Sequence, residues 1–104
     1  MYYKMKPVEQ SNVIKRVTKG ETVLFAEPCH ISLKQYIVVV TDNHIYSFSL
    51  DGYQLELKCT IIKARLKNIE FSTNKCTVGY EYMSLSVFVE FSDANLANRF
   101  KRTL

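Results

Sequence analysis

The chain has 104 residues, 47% of them hydrophobic and 23% charged, with a formal net charge of +4. This balance belongs to a globular domain and excludes a disordered polyelectrolyte; no apolar run approaches the roughly 18 residues that span a bilayer as a helix. Three cysteines without CxxC spacing exclude a disulfide framework and fit reduced thiols in a cytosolic setting.

Residues 1–20 read as an N-terminal arm. MYYKMKPVEQ carries charges with no apolar stretch behind it, so it is not a secretory leader. A short helix is expected over Val8–Lys19, where Val13 and Val17 stand four apart and Ile14 widens the stripe. Gly20 follows as a C′ residue does. Glu21–Ala26 is the first strand, with Val23 and Phe25 alternating against Thr22 and Leu24. Pro28 then marks a bulge, an edge or a strand end, and His30–Lys34 resumes the strand with Ile31 and Leu33 on one face.

Tyr36–Val40 is a continuous apolar run, the pattern of a strand buried on both faces or set in a barrel wall. Asp42-Asn43 tolerates positive φ and closes a tight hairpin at Thr41–His44. Ile45–Leu50 then alternates, with Tyr46, Phe48 and Leu50 on one side and Ser47 and Ser49 on the other, and ends at an Asp51-Gly52 turn.

Leu55, Leu57 and Cys59 alternate with Gln54, Glu56 and Lys58 in a fourth strand that runs on through Ile62. Lys63, Arg65 and Lys67 interleave with Ala64 and Leu66 before a bend at Lys67-Asn68 and a strand over Ile69–Ser72. After a Thr73-Asn74-Lys75 turn, Cys76, Val78, Tyr80 and Tyr82 alternate with polar residues. A turn at Met83-Ser84 leads to the clearest period-two stretch: Leu85, Val87, Val89 and Phe91 against Ser86, Phe88, Glu90 and Ser92. Ser92-Asp93 are N-cap residues. Leu96, Ala97, Phe100 and Leu104 make the apolar stripe of a closing helix, with Arg99, Lys101 and Arg102 in its last turns.

The chain is therefore expected to be mainly β: about seven strands in a meander, then a helix. Over Glu21–Leu104 this resembles the pleckstrin-homology superfold, most specifically in YIVVVTDNHIYSFSLDGY and ARLKNIEF. The resemblance implies a seven-stranded, partly open barrel of two orthogonal antiparallel sheets, plugged at one end by the C-terminal helix. A weaker resemblance to the tail-homology domain of class I myosins implies a cytoskeletal or membrane-associated setting. Two departures stand out. The chain has no tryptophan, so Phe100 takes the place of the one many members carry in the closing helix. The first hairpin loop, taken as Glu27–Gln35, offers Lys34 beside Glu27 and Pro28, which is not the cationic phosphate cradle of phosphoinositide-binding members.

No catalytic or metal constellation emerges. Cys29-His30, His44, Cys59 and Cys76 lack the paired spacing of a zinc site. A Cys–His pair has no recognisable oxyanion hole, and three glycines build no phosphate-binding loop. Lys63, Arg65 and Lys67, read at period two, give a basic stripe ~13 Å long on one strand face, joined by Lys34 and Lys58. Such a stripe is either a solvated face or a docking surface for an acidic partner. Tyr80, Tyr82 and Phe88 are an aromatic patch or cross-strand packing; packing is the simpler account, which disfavours nucleic acid. The expected function is a non-catalytic, cytoplasmic interaction module without cofactor, an adaptor binding an acidic or extended segment of a protein partner. The alternative is a peripheral module binding anionic phospholipid or phosphoinositide through the basic face. Self-association through an exposed strand edge is also allowed.

Overall fold

The computed structural model describes residues 7–51, 54–72 and 75–104. The arm before Pro7, the centre of the Asp51-Gly52 turn and Thr73-Asn74 lie outside the described residues. The elements in order are α1 (Pro7–Val17), β1 (Val23–Ile31), β2 (Lys34–Thr41), β3 (His44–Asp51), β4 (Gln54–Ile62), a 3-10 turn (Lys63–Arg65), β5 (Lys67–Phe71), β6 (Thr77–Tyr82), β7 (Leu85–Glu90) and α2 (Ala94–Arg102). The strands form one antiparallel sheet in the order β4-β3-β2-β1-β7-β6-β5. It has two halves, β1–β4 and β5–β7, joined where His30 pairs with Glu90 and Ile31 with Val89. β4 and β5 are its two ends, so the barrel stays open between them. Ile62 N–H reaches across that gap to the Tyr82 hydroxyl at 3.4 Å.

The expected mainly-β fold with a closing helix is what forms, and its centre is β2. Ile37, Val38, Val39 and Val40 are all buried. Val38 and Val40 enter the barrel core with Phe25, Ile45, Ile61, Val78, Val89, Phe91 and Phe100. Ile37 and Val39 point the other way, into a second cluster with Tyr46, Phe48 and Leu55. Val13, Ile14 and Val17 of α1 pack on that second cluster, so α1 covers the outer face of the first half-sheet. A strand whose two faces meet two different cores has no polar face, which is why its sequence reads as a continuous run.

At the other end Asp93 caps α2, its side chain accepting from Leu96 N–H at 2.8 Å. Phe100 packs against Phe91 and Phe25 with ring centroids 5.1 and 5.5 Å apart. This aromatic trio ties the helix to β1 and to the chain leaving β7. Burying one such ring contributes about 1.5–3 kcal/mol, so a phenylalanine suffices where the resemblance leads one to look for tryptophan.

Three local expectations are corrected. β1 does not end at Ala26 but runs on through Pro28, which pairs with Ile37 and stands at a locally free edge, one of the three places expected for it. β7 joins β1 beyond this point, at His30 and Ile31, so no ladder bond on that side is missed by a residue lacking an N–H. The first hairpin loop shrinks from Glu27–Gln35 to Ser32-Leu33, both with positive φ (53° and 67°). Neither residue type signals such a turn, because left-handed conformations favour Gly, Asn and Asp. Lys63, Arg65 and Lys67 do not share a strand face: Lys63–Arg65 is a 3-10 turn and Lys67 opens β5. The chain must change direction there to leave one half-sheet for the other, and tertiary geometry overrides the local period. In β4 itself a bulge at Lys58, opposite Ser47–Phe48, swaps the faces. Leu55 lies in the outer cluster and Ile61 in the barrel core.

Candidate functional site

Five cations were singled out by sequence, and the fold distributes them. Lys34 opens β2 directly after the Ser32-Leu33 turn. Lys58 sits in the β4 bulge and pairs with Glu56 at 3.2 Å, both side chains being about half exposed. Lys63 is turned inward: its Nζ donates to the Thr41 carbonyl at 2.9 Å, and its backbone N–H donates to Asn43 O at 3.0 Å. It pins the β4 exit to the β2–β3 turn. Arg65 and Lys67 do converge, around a recess of about 450 Å³ lined also by Ala64, Glu81, Met83 and Ser84.

Met83 and Ser84 form the β6–β7 turn, again with positive φ at both residues (50° and 67°). This costs energy for side chains with a Cβ and holds Met83 72% exposed beside the two cations. The Ser32-Leu33 turn does the same with Leu33, which is 95% exposed. Two apolar side chains thus stand in solvent on strained turns, each near a cation that sequence had marked. Residue composition could not reveal this pairing of Arg65 and Lys67 with Met83, because it depends on where β6 ends relative to the 3-10 turn.

A second constellation was not anticipated. Glu21, just after Gly20 (φ +85°), accepts hydrogen bonds from His44 Nδ1 at 2.7 Å, from Thr41 Oγ1 at 2.9 Å and from the Tyr46 hydroxyl. Burial alone would raise its carboxyl, but the bonds from Tyr46, His44 and Thr41 outweigh it and hold the group below the usual carboxylate range. Burial, with the same contact to Glu21 behind it, pushes Tyr46 up to about 12. Thr41 Oγ1 also accepts from the N–H groups of Asn43 and His44. The β2–β3 turn is therefore held by a threonine side chain rather than by left-handed residues. This cluster clasps the chain between α1 and β1 to the hairpin; the carboxylate's acceptor sites are spent on structure.

The remaining candidates resolve as packing. Burial pushes the Cys29 thiol up to about 12, so at neutral pH it is protonated and a poor nucleophile. No three His, Cys, Asp or Glu side chains among the described residues are placed to hold a metal ion. Tyr80 is buried, Tyr82 is half-buried, and Phe88 alone of the three is exposed. Lys101 lies over the Phe71 ring at 5.1 Å and Arg99 over Phe25 at 5.6 Å, so both seal α2 against the sheet. Among the described residues no helix is long and apolar enough to cross a membrane. Compared with known proteins, the chain matches no protein-family model and no curated protein.

Proposed function

We propose that this chain is a pleckstrin-homology-like, non-catalytic interaction module that docks an acidic, extended segment of a protein partner at the Arg65–Lys67–Met83 corner. The observation that carries this is the recess of about 450 Å³ where two cations meet an apolar side chain presented on a strained turn. Cations steer an acidic segment and set its register, while Met83 supplies an adaptable apolar contact. The two-residue β1–β2 turn, with Lys34 beside it, does not make a phosphate cradle, which favours a protein over a phosphoinositide headgroup. The fold resemblance and the lack of paired cysteine spacing support a cytoplasmic setting for such a module, as an adaptor in a cytoskeletal or scaffolding assembly.

The test is affinity capture followed by mass spectrometry, with wild type and the Arg65→Glu/Lys67→Glu variant in parallel. Partners retained by wild type and lost by the variant, with acidic segments as their binding regions, support the reading. An identical set on both sinks it. One observation favours a second reading, docking on an anionic bilayer: the exposure of Leu33 and Met83 next to Lys34, Arg65 and Lys67. Sedimentation with phosphatidylserine vesicles at physiological salt decides it. Saturable pelleting lost in the same variant supports the bilayer, and no pelleting dismisses it.

A further inference from the structure

We propose that the barrel interior holds a separate binding site, a cavity between the two half-sheets that takes a neutral, mainly aliphatic molecule bearing one carbonyl oxygen. The cavity has a volume of about 260 Å³ and is walled by Ile31, Tyr36, Ile61 and Val87. It shares no residue with the Arg65–Lys67–Met83 corner. The β4 bulge helps to build it: past the register shift at Lys58, Cys59 and Ile61 turn inward, and Cys59 pairs with Ser47 of β3. Two hydroxyl-bearing residues line the same space, Ser47 from the first half-sheet and Tyr80 from the second. They are only 5% and 3% exposed, and no hydrogen bond among the described residues reaches either hydroxyl.

Buried hydroxyls in folded proteins almost always have a partner, and one left without costs stability. Two of them on one aliphatic cavity are anchors for the polar atom of a ligand. Both can donate, and a carbonyl oxygen has two lone pairs to accept them. An anion is disfavoured at this depth. Burial, with the Cys59 and Cys29 thiols near it, pushes the Tyr80 phenol up, so the lining resists negative charge. Lys58 does not offset this, because it lies exposed at the mouth and pairs with Glu56 at 3.2 Å. Size sets the rest. A cavity of ~150 Å³ lined by apolar side chains takes benzene, so by proportion this one accommodates about ten non-hydrogen atoms. For so small a molecule the expected Kd is on the order of 0.1 mM.

The test titrates the full chain with 2-nonanone, an aliphatic ketone of that size, up to about 2 mM, and follows the methyl resonances of Ile31, Ile61 and Val87. Saturable shifts centred on these methyls are expected. Ser47→Ala and Tyr80→Phe should each weaken binding about two- to tenfold, the loss of one neutral hydrogen bond. Both variants should melt no earlier than wild type in the absence of ketone, because neither hydroxyl has a protein partner to lose. A purely structural role would instead lower their melting temperatures. Val87→Phe, at a half-buried position, fills the cavity and should abolish the shifts at Ile31 and Ile61. Four results would each overturn the proposal: no saturable shift over the range, which leaves the cavity to water alone; an affinity unchanged in both hydroxyl variants; earlier melting of both; or binding that persists in Val87→Phe.

Discussion

β2 and β7 flank β1 on either side, yet they are built to different rules. β2 is buried on both faces, four apolar residues in succession, because α1 roofs its outer side. β7 alternates: Val89 is buried, whereas Phe88 stands 61% exposed on the outer side. There the register sets Phe88 beside Gly79, and Glu70 beyond it. The difference teaches that the first half-sheet is a three-layer structure and the second a two-layer one. The first leaves no polar position along Ile37–Val40 of β2, and the buried Thr41 at the end of that strand has its hydroxyl bonded to Glu21. The second leaves an outer face, and with it the turn at Met83-Ser84, available for contact.

The comparison breaks most visibly in the middle layer. Phe48 is fully buried beneath α1, and Phe48→Ala should destabilise by about 3–5 kcal/mol through lost transfer energy and a cavity. Urea unfolding with an unchanged slope measures it. A loss below about 1 kcal/mol would mean that the outer cluster is not a packed core. Next in size, Val17→Asp sets a carboxylate against that cluster and should cost about 2–3 kcal/mol. Because the barrel core is a separate cluster, hydrogen exchange should accelerate in α1 and the outer cluster before it does in β6 and β7.

The Glu21 clasp tests how the roof is attached. Glu21→Gln should cost about 1–2 kcal/mol by weakening bonds to a charged acceptor. The pH dependence has two signs. The carboxyl is held below its ordinary value of 4.5, so its contribution is complete above that value and is lost as pH falls through the lowered one. Tyr46 is raised from 10.0 to about 12, so its contribution is complete below 10.0 and is lost as pH rises toward 12. Stability profiles should flatten at the acid end in Glu21→Gln and at the alkaline end in Tyr46→Phe. An unchanged acid limb in Glu21→Gln would show that the clasp does not hold in solution.

What the residues disclosed follows the same division. The double burial of Tyr36–Val40, the alternation of Leu85–Phe91 and the stripe Leu96–Phe100–Leu104 were legible because period and burial coincide along a single element. The two non-glycine turns, Ser32-Leu33 and Met83-Ser84, differ in this respect. Met83-Ser84 interrupts an alternation and so shows as a turn, while Ser32-Leu33 carries no such break and falls inside both the resumed strand His30–Lys34 and the longer loop Glu27–Gln35. The Lys63–Arg65 turn was hidden because alternating charges mimic a strand, and only the need to leave β4 for β5 reveals it. The Glu21 clasp joins residues 20 to 25 positions apart, a relation no local pattern encodes. Of the candidate site, the cations were visible and their apolar companion was not.

The smallest expected effect is the sharpest on the two-layer half. Phe88 lies against Gly79, where an added Cβ would come within 3.0 Å of the Phe88 ring, so the aromatic shields a glycine that offers no side chain of its own. Such a cross-strand contact is worth roughly 0.2–1 kcal/mol, and Phe88→Ala should cost no more than that, several-fold less than Phe48→Ala. Thermal melts at low protein concentration measure it. If Phe88→Ala instead costs as much as a core truncation, the outer face of β5–β7 is covered in solution. A concentration-dependent cost would then identify the cover as another copy of the chain, since binding of a second copy to the native state stabilises by mass action, whereas a concentration-independent cost would place it within the same chain.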